Sequence, residues 1–259
     1  MPENMNTPSE NKLNVAVIMI GNLRSNIGTF DRLKKYLFDL YNCDLYITTY
    51  NKRYNVKWAD CEDQEKLVSE PETVALYKDY LKQITIVDQN EFFEKYTKLE
   101  NKEYAFGGDL DRLYTIEKFI MTAYDIFRRE CHTHNRRYDI VLKIRPDTYL
   151  HQELDLTMHL NDDQIVVPNV DSGAGFNDHL AFGKPGIMER YFTYYQNFAE
   201  IDQSGVDVSK IEFGLQKHLE NSGVEIKRMV IKYMLRKDAR QQRIMFFSKK
   251  KKDFYVKRM

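Results

Sequence analysis

The chain has 259 residues, which is enough for one large α/β domain or two small ones. It carries 39 basic and 39 acidic residues, and this zero formal net charge disfavours a nucleic-acid-binding protein. With 42% apolar residues, 13% aromatic residues and only 11 glycines and 6 prolines, the composition is that of a globular protein with a sizeable core.

The cysteines and the apolar runs bear on the compartment. Cys43, Cys61 and Cys131 are odd in number and far apart, and no Cys-x-x-Cys pair is present, so neither a zinc ribbon nor a disulfide framework is indicated. The first twelve residues lack the apolar segment of a signal peptide. The longest apolar run, residues 15–20, is too short to span a bilayer. We expect a cytoplasmic protein, free or bound peripherally to the cytosolic face of a membrane.

The chain opens with the pattern of a parallel sheet. Residues 14–20 are apolar on both faces, as in a central parallel strand. They end at a glycine turn, 21–25, whose hydroxyl and amide residues can cap a helix. An amphipathic pattern predicts a helix over 29–41, and a second strand is predicted over 44–49. This β-turn-α-β opening is typical of a Rossmann-like sheet.

The rest of the chain continues the alternation of strands and helices. We predict one α/β domain over residues 14–245, with a mostly parallel sheet flanked by helices, preceded by a polar leader (1–13) and followed by a basic, aromatic tail (246–259). Its further predicted elements are strands at 84–88, 139–144, 164–168 and 224–231 and helices at 111–130, 185–199 and 209–222.

The segment Arg145-Pro146-Asp147 follows an apolar run and is the first candidate site. Proline cannot donate to a sheet ladder, so the strand should end here and its next side chains should enter a crevice. Ligands of open α/β sheets bind at the carboxyl ends of the strands. Arginine suits a diphosphate, and aspartate offers hard oxygen ligands to Mn²⁺ or Mg²⁺. A surface turn that caps a structural strand is the alternative.

Four stretches taken together resemble a known family. VAVIMIGNLRS, DLYITTY, YDIVLKIRPDTYL and GFNDHLAFGKPGIMERY, in this order and spacing, resemble GT-A-fold glycosyltransferases found in bacterial surface-polysaccharide clusters and in large algal (chlorella-type) viruses. The resemblance covers about residues 15–230. It implies a Rossmann-like GT-A domain that transfers a hexosyl, pentosyl or deoxyhexosyl group from a nucleoside-diphosphate sugar to a hydroxyl of a glycan or lipid-linked glycan. It also favours UDP as the nucleotide, a Mn²⁺ or Mg²⁺ cofactor and an inverting reaction.

The resemblance assigns donor-binding residues to the ends of the first two strands. Gly21, Asn22 and Arg24 would lie beside the base and ribose, although any β-α turn favours a glycine at position 21. Thr48, Thr49 and Tyr50 would line the base pocket. An ordinary strand end rich in β-forming residues explains the second group equally well.

Arg145-Pro146-Asp147 stands where the family has an Asp-x-Asp signature. Arg145 occupies the first aspartate position, so only one carboxylate remains at this strand end. The resemblance makes Asp147 the ligand that joins Mn²⁺ or Mg²⁺ to the diphosphate of the donor. Arg145 is predicted to bind the donor and to supply part of that positive charge as a fixed cation.

A literal Asp-x-Asp, Asp109-Leu110-Asp111, lies at the predicted start of the long helix. Asp109 and Arg112 are second-rank candidates for contacts with the donor sugar. Acidic residues also favour helix N-termini through capping and the helix dipole, which explains these aspartates without a ligand.

The loop at residues 173–179 is the candidate acceptor side. An inverting transferase needs a carboxylate to deprotonate the acceptor hydroxyl, and Asp178 is predicted to be that base, with Glu212 as the alternative. Asn177 and His179 are predicted to contact the acceptor. An Asx-turn at Asn177 is the structural explanation of the same residues.

Two further expectations concern partners. A protein of the same fold that binds a nucleotide or sugar without catalysis is the alternative to a transferase, and the presence of both Asp147 and Asp178 argues against it. The tail KKKKDFYVKR combines lysines with aromatic residues, which predicts weak peripheral contact with anionic lipid.

Overall fold

A seven-stranded sheet is the central element of the protein in the computed structural model. The structure describes residues 12–23, 26–53, 66–100, 109–158, 160–169, 176–235, 243–245 and 256–258. Its elements up to residue 100 are β1 (Asn14–Ile20), α1 (Asn26–Leu33) continuing into a π-helical turn (Lys34–Phe38), β2 (Asn42–Tyr50), β3 (Lys52–Arg53), β4 (Lys66–Leu67), α2 (Glu70–Tyr77), β5 (Leu81–Val87) and α3 (Gln89–Glu100).

The second part of the chain begins with the longest helix. In order, its elements are α4 (Asp109–Thr133), β6 (Ile140–Ile144), β7 (Thr148–Leu150), β8 (Gln164–Pro168), β9 (Leu180–Gly183), α5 (Pro185–Phe192), α6 (Tyr194–Gln203), α7 (Ile211–Asn221), β10 (Glu225–Met229), β11 (Tyr233–Leu235), β12 (Arg243–Met245) and β13 (Val256–Arg258). Among the described residues, no helix is both long enough and apolar enough to cross a membrane.

The strands of the central sheet lie in the order β10-β8-β9-β6-β1-β2-β5. Neighbours pair in parallel except at β9, which is antiparallel to both β6 and β8. The prediction of an α/β protein with a mostly parallel, Rossmann-like sheet flanked by helices is therefore confirmed.

Strand β1 is the topological switch point of the sheet, because later strands are added on both sides of it. From β1 the chain adds β2 and then β5 on one side, and it returns through α4 to add β6 on the other side. The three strands end together, since Ile20 pairs with Thr48 on β2 and Met19 pairs with Ile144 on β6. A crevice outside the carboxyl ends of the strands at such a switch point is where open α/β sheets bind ligands.

Both faces of the sheet are covered, as the apolar pattern of β1 requires. Alternate residues of a strand point to opposite faces, and accordingly Ala16, Ile18 and Ile20 belong to one core cluster and Val15, Val17 and Met19 to the other. The first cluster includes apolar residues of α4, α5, α6 and α7, and the second includes those of α1 and its π-helical continuation.

Several predicted boundaries differ from those of the structure. The helix predicted over 29–41 begins earlier, at Asn26, and the helix predicted over 185–199 is divided at Thr193 into α5 and α6. Strand β9 was not predicted, because four residues before a proline give too short a pattern. The predicted helix end at Ser222-Gly223 is confirmed, with Ser222 as the C-cap and Gly223 at a φ of 69°.

We expect Gly214→Ala to destabilise the protein, because helices α6 and α7 pack closely at this glycine. A Cβ atom there would collide with the hydroxyl oxygen of Tyr194 and lie 2.8 Å from its Cζ, and the Tyr194 ring is buried. Such overpacking costs roughly 1–3 kcal/mol of the free energy of unfolding, as measured in urea. Gly186→Ala on α5 is the control, since nothing lies within 4 Å of its added Cβ, and it should be neutral or stabilising by up to about 1 kcal/mol. Equal losses in both variants would contradict this account of the α6–α7 contact.

Candidate functional site in the switch-point crevice

A crevice opens at the switch point, between the loops that follow β1, β2 and β6. We call it the switch-point crevice; it is lined by Ile20, Gly21, Asn22, Tyr50, Gln89, Phe93, Ile116, Phe119, Ile120, Lys143, Arg145, Pro146, Asp147 and Asp178. The carboxyl ends of β1, β2 and β6 thus meet at one edge of the sheet.

Gly21 is the turn that allows β1 to end beside β6. Its φ of 125° is a conformation that other residues rarely adopt. Its amide donates to the carbonyl oxygen of Thr48 at 3.2 Å, which ties the turn to the end of β2. On the other side, Pro146 packs beside the turn, and its Cδ atom would be in ordinary van der Waals contact, at 3.6 Å, with a Cβ placed on Gly21.

Arg145 and Asp147 form a bidentate ion pair at one end of the crevice. The Nε and Nη2 atoms of Arg145 each donate to one carboxylate oxygen of Asp147, both at 2.9 Å. Burial disfavours the charged guanidinium, but the charge and the hydrogen bonds of Asp147 outweigh it, so the pKa of Arg145 is raised. The side chain of Arg145 is 30% exposed and that of Asp147 only 3%. The cation therefore stands in front of the carboxylate.

Lys143 brings a second basic side chain to the same end. It is only 2% exposed, and its ammonium group donates to the carbonyl oxygen of Asp178. Burial lowers the pKa of Lys143, against the opposite effect of the Asp178 charge. Asp178 comes to this position because β9 is antiparallel to β6, so that Leu180 pairs with Ile144 at the carboxyl end of β6.

The carboxylate of Asp178 is ionised at neutral pH. Burial by itself would raise the pKa of Asp178, but the charges of Lys143, His179 and Arg145 outweigh it and lower the pKa below its usual value. The Nε2 atom of His179 lies 3.6 Å from the Oδ1 atom of Asp178. The crevice thus holds two basic side chains and two carboxyl side chains within one buried cluster.

A fifth ionisable group, Glu117 on α4, lies against this cluster. It is 4% exposed, and its Oε1 atom is buried without a hydrogen-bond partner. Burial raises the pKa of Glu117 to about 8, with a further increase from the charge of Asp178 and an opposing effect of Lys143. Glu117 is therefore protonated at neutral pH, as expected of a carboxyl group that is buried without a full charge partner.

The other end of the crevice is aromatic and apolar. Phe119 stacks on Tyr50, with ring centroids 4.0 Å apart and an interplanar angle of 20°. Phe93, Ile116 and Ile120 extend this wall. The amide side chains of Asn22 and Gln89 lie at its border, and each has a buried amide oxygen without a hydrogen-bond partner. A planar, hydrogen-bonding ring system suits such a surface.

The described side chains do not fit the metal ion that the family resemblance implies. No group of three or more His, Cys, Asp or Glu residues that could hold a metal ion occurs in the part of the chain that the structure describes. Both oxygens of Asp147, the predicted ligand, accept hydrogen bonds from Arg145. A guanidinium group thus already pairs with the one carboxylate that the resemblance assigns to the metal ion.

Three predicted donor residues of the first two strand ends line the crevice, and two described ones do not. Gly21, Asn22 and Tyr50 line it together with Arg145 and Asp147. Thr48 and Thr49 are buried outside its lining, and the Thr49 hydroxyl donates to the carbonyl oxygen of Tyr50 at 3.2 Å. Their placement agrees with the alternative, an ordinary strand end.

The remaining donor-side candidates cannot be compared with the crevice. Arg24 lies outside the described residues. Asp109 and Arg112 belong to the first turn of α4, as expected of residues at a helix start, but their side chains lie outside the described part of the structure.

Asp178 is the one acceptor-side or catalytic candidate that lines the crevice. Asn177 is buried, donates to the Tyr233 hydroxyl at 2.8 Å and accepts from the backbone amide of His179 at 2.9 Å, which is the predicted Asx-turn. The Nδ1 atom of His179 lies 2.9 Å from the same Tyr233 hydroxyl. Glu212 lies in the first turn of α7 and does not line the crevice.

Two residues of the cluster, Lys143 and Glu117, were not predicted as site residues. Lys143 was included in the apolar run of β6, although a lysine within a strand buried at every position is itself unusual. Glu117 lies on a helix that contains many other charged residues, so the sequence does not indicate that this glutamate is buried.

The free energy of unfolding should fall as the pH rises from about 4.5 to about 8, because unfolding releases the proton that buried Glu117 retains. The groups that act on Glu117 or respond to its charge are Asp178, Lys143, Tyr191 and Tyr194. Glu117→Gln removes this contribution, so the stability of the variant relative to the wild type should increase by up to about 1.4 kcal/mol per pH unit in this range.

Urea unfolding at a series of pH values measures this effect, with Glu153→Gln at an exposed position as the control. A difference between the Glu117→Gln variant and the wild type that does not change with pH would contradict the assignment of a buried, protonated Glu117.

Comparison with known proteins gives no family for this chain. No protein-family model matches it, and no curated protein matches it. Its function is therefore inferred from the geometry of the switch-point crevice together with the four stretches that resemble GT-A glycosyltransferases.

Proposed function

We propose that the protein is a glycosyltransferase of GT-A type. It transfers a hexosyl, pentosyl or deoxyhexosyl group from a nucleoside-diphosphate sugar to a hydroxyl of a glycan or lipid-linked glycan. The observation that carries the proposal is the pairing, in one crevice at the switch point of the sheet, of an aromatic end with a cationic end.

The order of groups along the crevice matches the order of groups in the donor. A nucleoside diphosphate has a flat base and a ribose at one end and charged phosphates at the other. Tyr50 and Phe119 offer an aromatic surface for the base, and Asn22 and Gln89 offer amide groups for its polar edge or the ribose. Arg145 and Lys143 provide the positive charge for the phosphates. The resemblance favours uridine as the base.

Asp178 has the properties required of the base that activates the acceptor. It lines the crevice beside the cationic end, where the bond between the sugar and the phosphate would lie. Its lowered pKa keeps the carboxylate ionised at neutral pH and hence able to accept a proton. A single displacement, which inverts the anomeric configuration, requires this carboxylate to reach the side of the sugar opposite the leaving phosphate.

Phe119→Leu should weaken the binding of UDP, because leucine fills the core but offers no flat ring to the base. An aromatic pair contributes about 0.5–1.5 kcal/mol beyond its buried area, so the dissociation constant should rise roughly two- to tenfold. Phe127→Leu is the matched control, since Phe127 is also buried on α4 but contacts Tyr46 and does not line the crevice.

A thermal-shift titration of the wild type and both variants with UDP and GDP measures this difference, because stabilisation depends on the ratio of ligand concentration to dissociation constant. If neither nucleotide nor any UDP- or GDP-sugar stabilised the wild type, with or without Mn²⁺, the proposed function would be wrong.

Asp178→Asn should reduce the rate of sugar transfer and leave donor affinity nearly unchanged. General-base assistance is worth roughly 10²- to 10⁴-fold in rate, and the amide cannot accept the proton. Asp162→Asn, at a side chain that is 90% exposed, is the control. Turnover of a UDP-sugar with a glycan acceptor and NMR of the product give the rate and the anomeric configuration.

Three results of this experiment have different meanings. A normal rate with weakened donor binding would make Asp178 a binding residue, and a retained anomeric configuration would contradict the single displacement. Nucleotide binding without transfer to any acceptor would favour the alternative, a binding protein of the same fold.

A further inference from the structure

We propose that Arg145 and Lys143 together take the place of a divalent metal ion in the switch-point crevice. The inference rests on the proposed function and goes beyond it, because it names what neutralises the diphosphate of the donor. Binding of a nucleoside diphosphate would then require no metal. This differs from the expectation that the resemblance gives, in which Asp147 holds Mn²⁺ or Mg²⁺.

The first support is the order in which a ligand meets the charged groups. The Arg145 side chain is ten times as exposed as that of Asp147, at 30% against 3%. An anionic ligand that enters the crevice therefore contacts the guanidinium, and the carboxylate lies behind it. A metal ion at Asp147 would have to share the carboxylate with the guanidinium that already contacts both oxygens or displace it, and separating a buried ion pair is costly.

The second support is the count of charges. Two aspartates that hold one divalent ion have a net charge of zero. In formal charges, Arg145 and Lys143 balance Asp147 and Asp178, so these four side chains of the crevice also sum to zero. The two basic side chains thus formally supply the charge that the metal would bring.

The third support is the donor capacity of the guanidinium. An arginine has five N–H donors in a planar fork, and the bonds to Asp147 use one on Nε and one on Nη2. The remaining donors can bind phosphate oxygens while the pair with Asp147 holds the plane of the group. Asp147 is then a positioning residue for Arg145 and not a metal ligand.

Calorimetric titration of the full chain with UDP and with GDP, in excess EDTA and in excess Mn²⁺, tests the proposal without any substitution. We expect equal dissociation constants in the two buffers. Binding that occurs only with Mn²⁺ would overturn the inference and leave the proposed function intact. Absence of binding in both buffers would instead overturn the proposed function on which the inference rests.

Variants tested in EDTA then distinguish the two roles of the pair. Asp147→Asn should retain UDP binding, because the Arg145 cation remains. If Asp147 were instead a metal ligand, this variant would lose the UDP binding that depends on Mn²⁺. Arg145→Ala should weaken binding roughly 10- to 100-fold through loss of charged hydrogen bonds, and Arg145→Lys should lie between. Arg32→Ala is the control, since Arg32 contacts Tyr149 outside the crevice lining. Unchanged affinity in Arg145→Ala would overturn the proposal.

Discussion

The arrangement of the crevice depends on one constraint, which is that two basic side chains, Lys143 and Arg145, lie at the end of the buried strand β6. Lys143 lies within β6 and Arg145 follows it by two residues, so both side chains leave the strand on the same face of the sheet. A buried cation is costly unless charged partners and hydrogen bonds surround it. The chain meets this requirement with the carboxylate of Asp147 and with the carboxylate and carbonyl of Asp178.

The topology of the sheet brings these partners together from distant segments. Strand β9 enters between β6 and β8 in the antiparallel direction, so its first residues meet the last residues of β6. A parallel β9 would bring Asp178 to the opposite edge of the sheet. Helix α4 returns the chain across β1 and contributes both Glu117 and the aromatic wall at Phe119. The antiparallel direction of β9 and the long connection through α4 therefore determine which residues line the crevice.

Much of this arrangement could be predicted from local sequence, and the rest depends on tertiary pairing. The apolar runs predicted β1, β2, β6 and β8, and the proline at position 146 correctly marked a strand end, which lies at the switch-point crevice. Asp178, predicted as the general base, lines that crevice, and its role as a base stays a prediction. The arginine at position 145 was read as a donor contact beside a metal site, but its pairing with Asp147 is a three-dimensional fact that spacing alone does not give.

The residues that sequence reasoning missed or misplaced have physical explanations. Lys143 was hidden by its apolar neighbours, and Glu117 is distinguished only by its burial. Asn177 looked like an acceptor contact, but its side chain stabilises its own turn and the Tyr233 hydroxyl. Thr48 and Thr49 end a central strand whose two faces are both covered, so their side chains are buried instead of lining the site.

A crystal structure of the protein with UDP tests the central claim most directly. The account predicts a diphosphate whose oxygens lie about 3 Å from the Arg145 guanidinium, with uracil against Phe119 and Tyr50 and the Arg145–Asp147 pair intact. UDP bound away from the switch-point crevice would contradict the claim. A metal ion ligated by Asp147, with Arg145 displaced, would contradict its account of the charge.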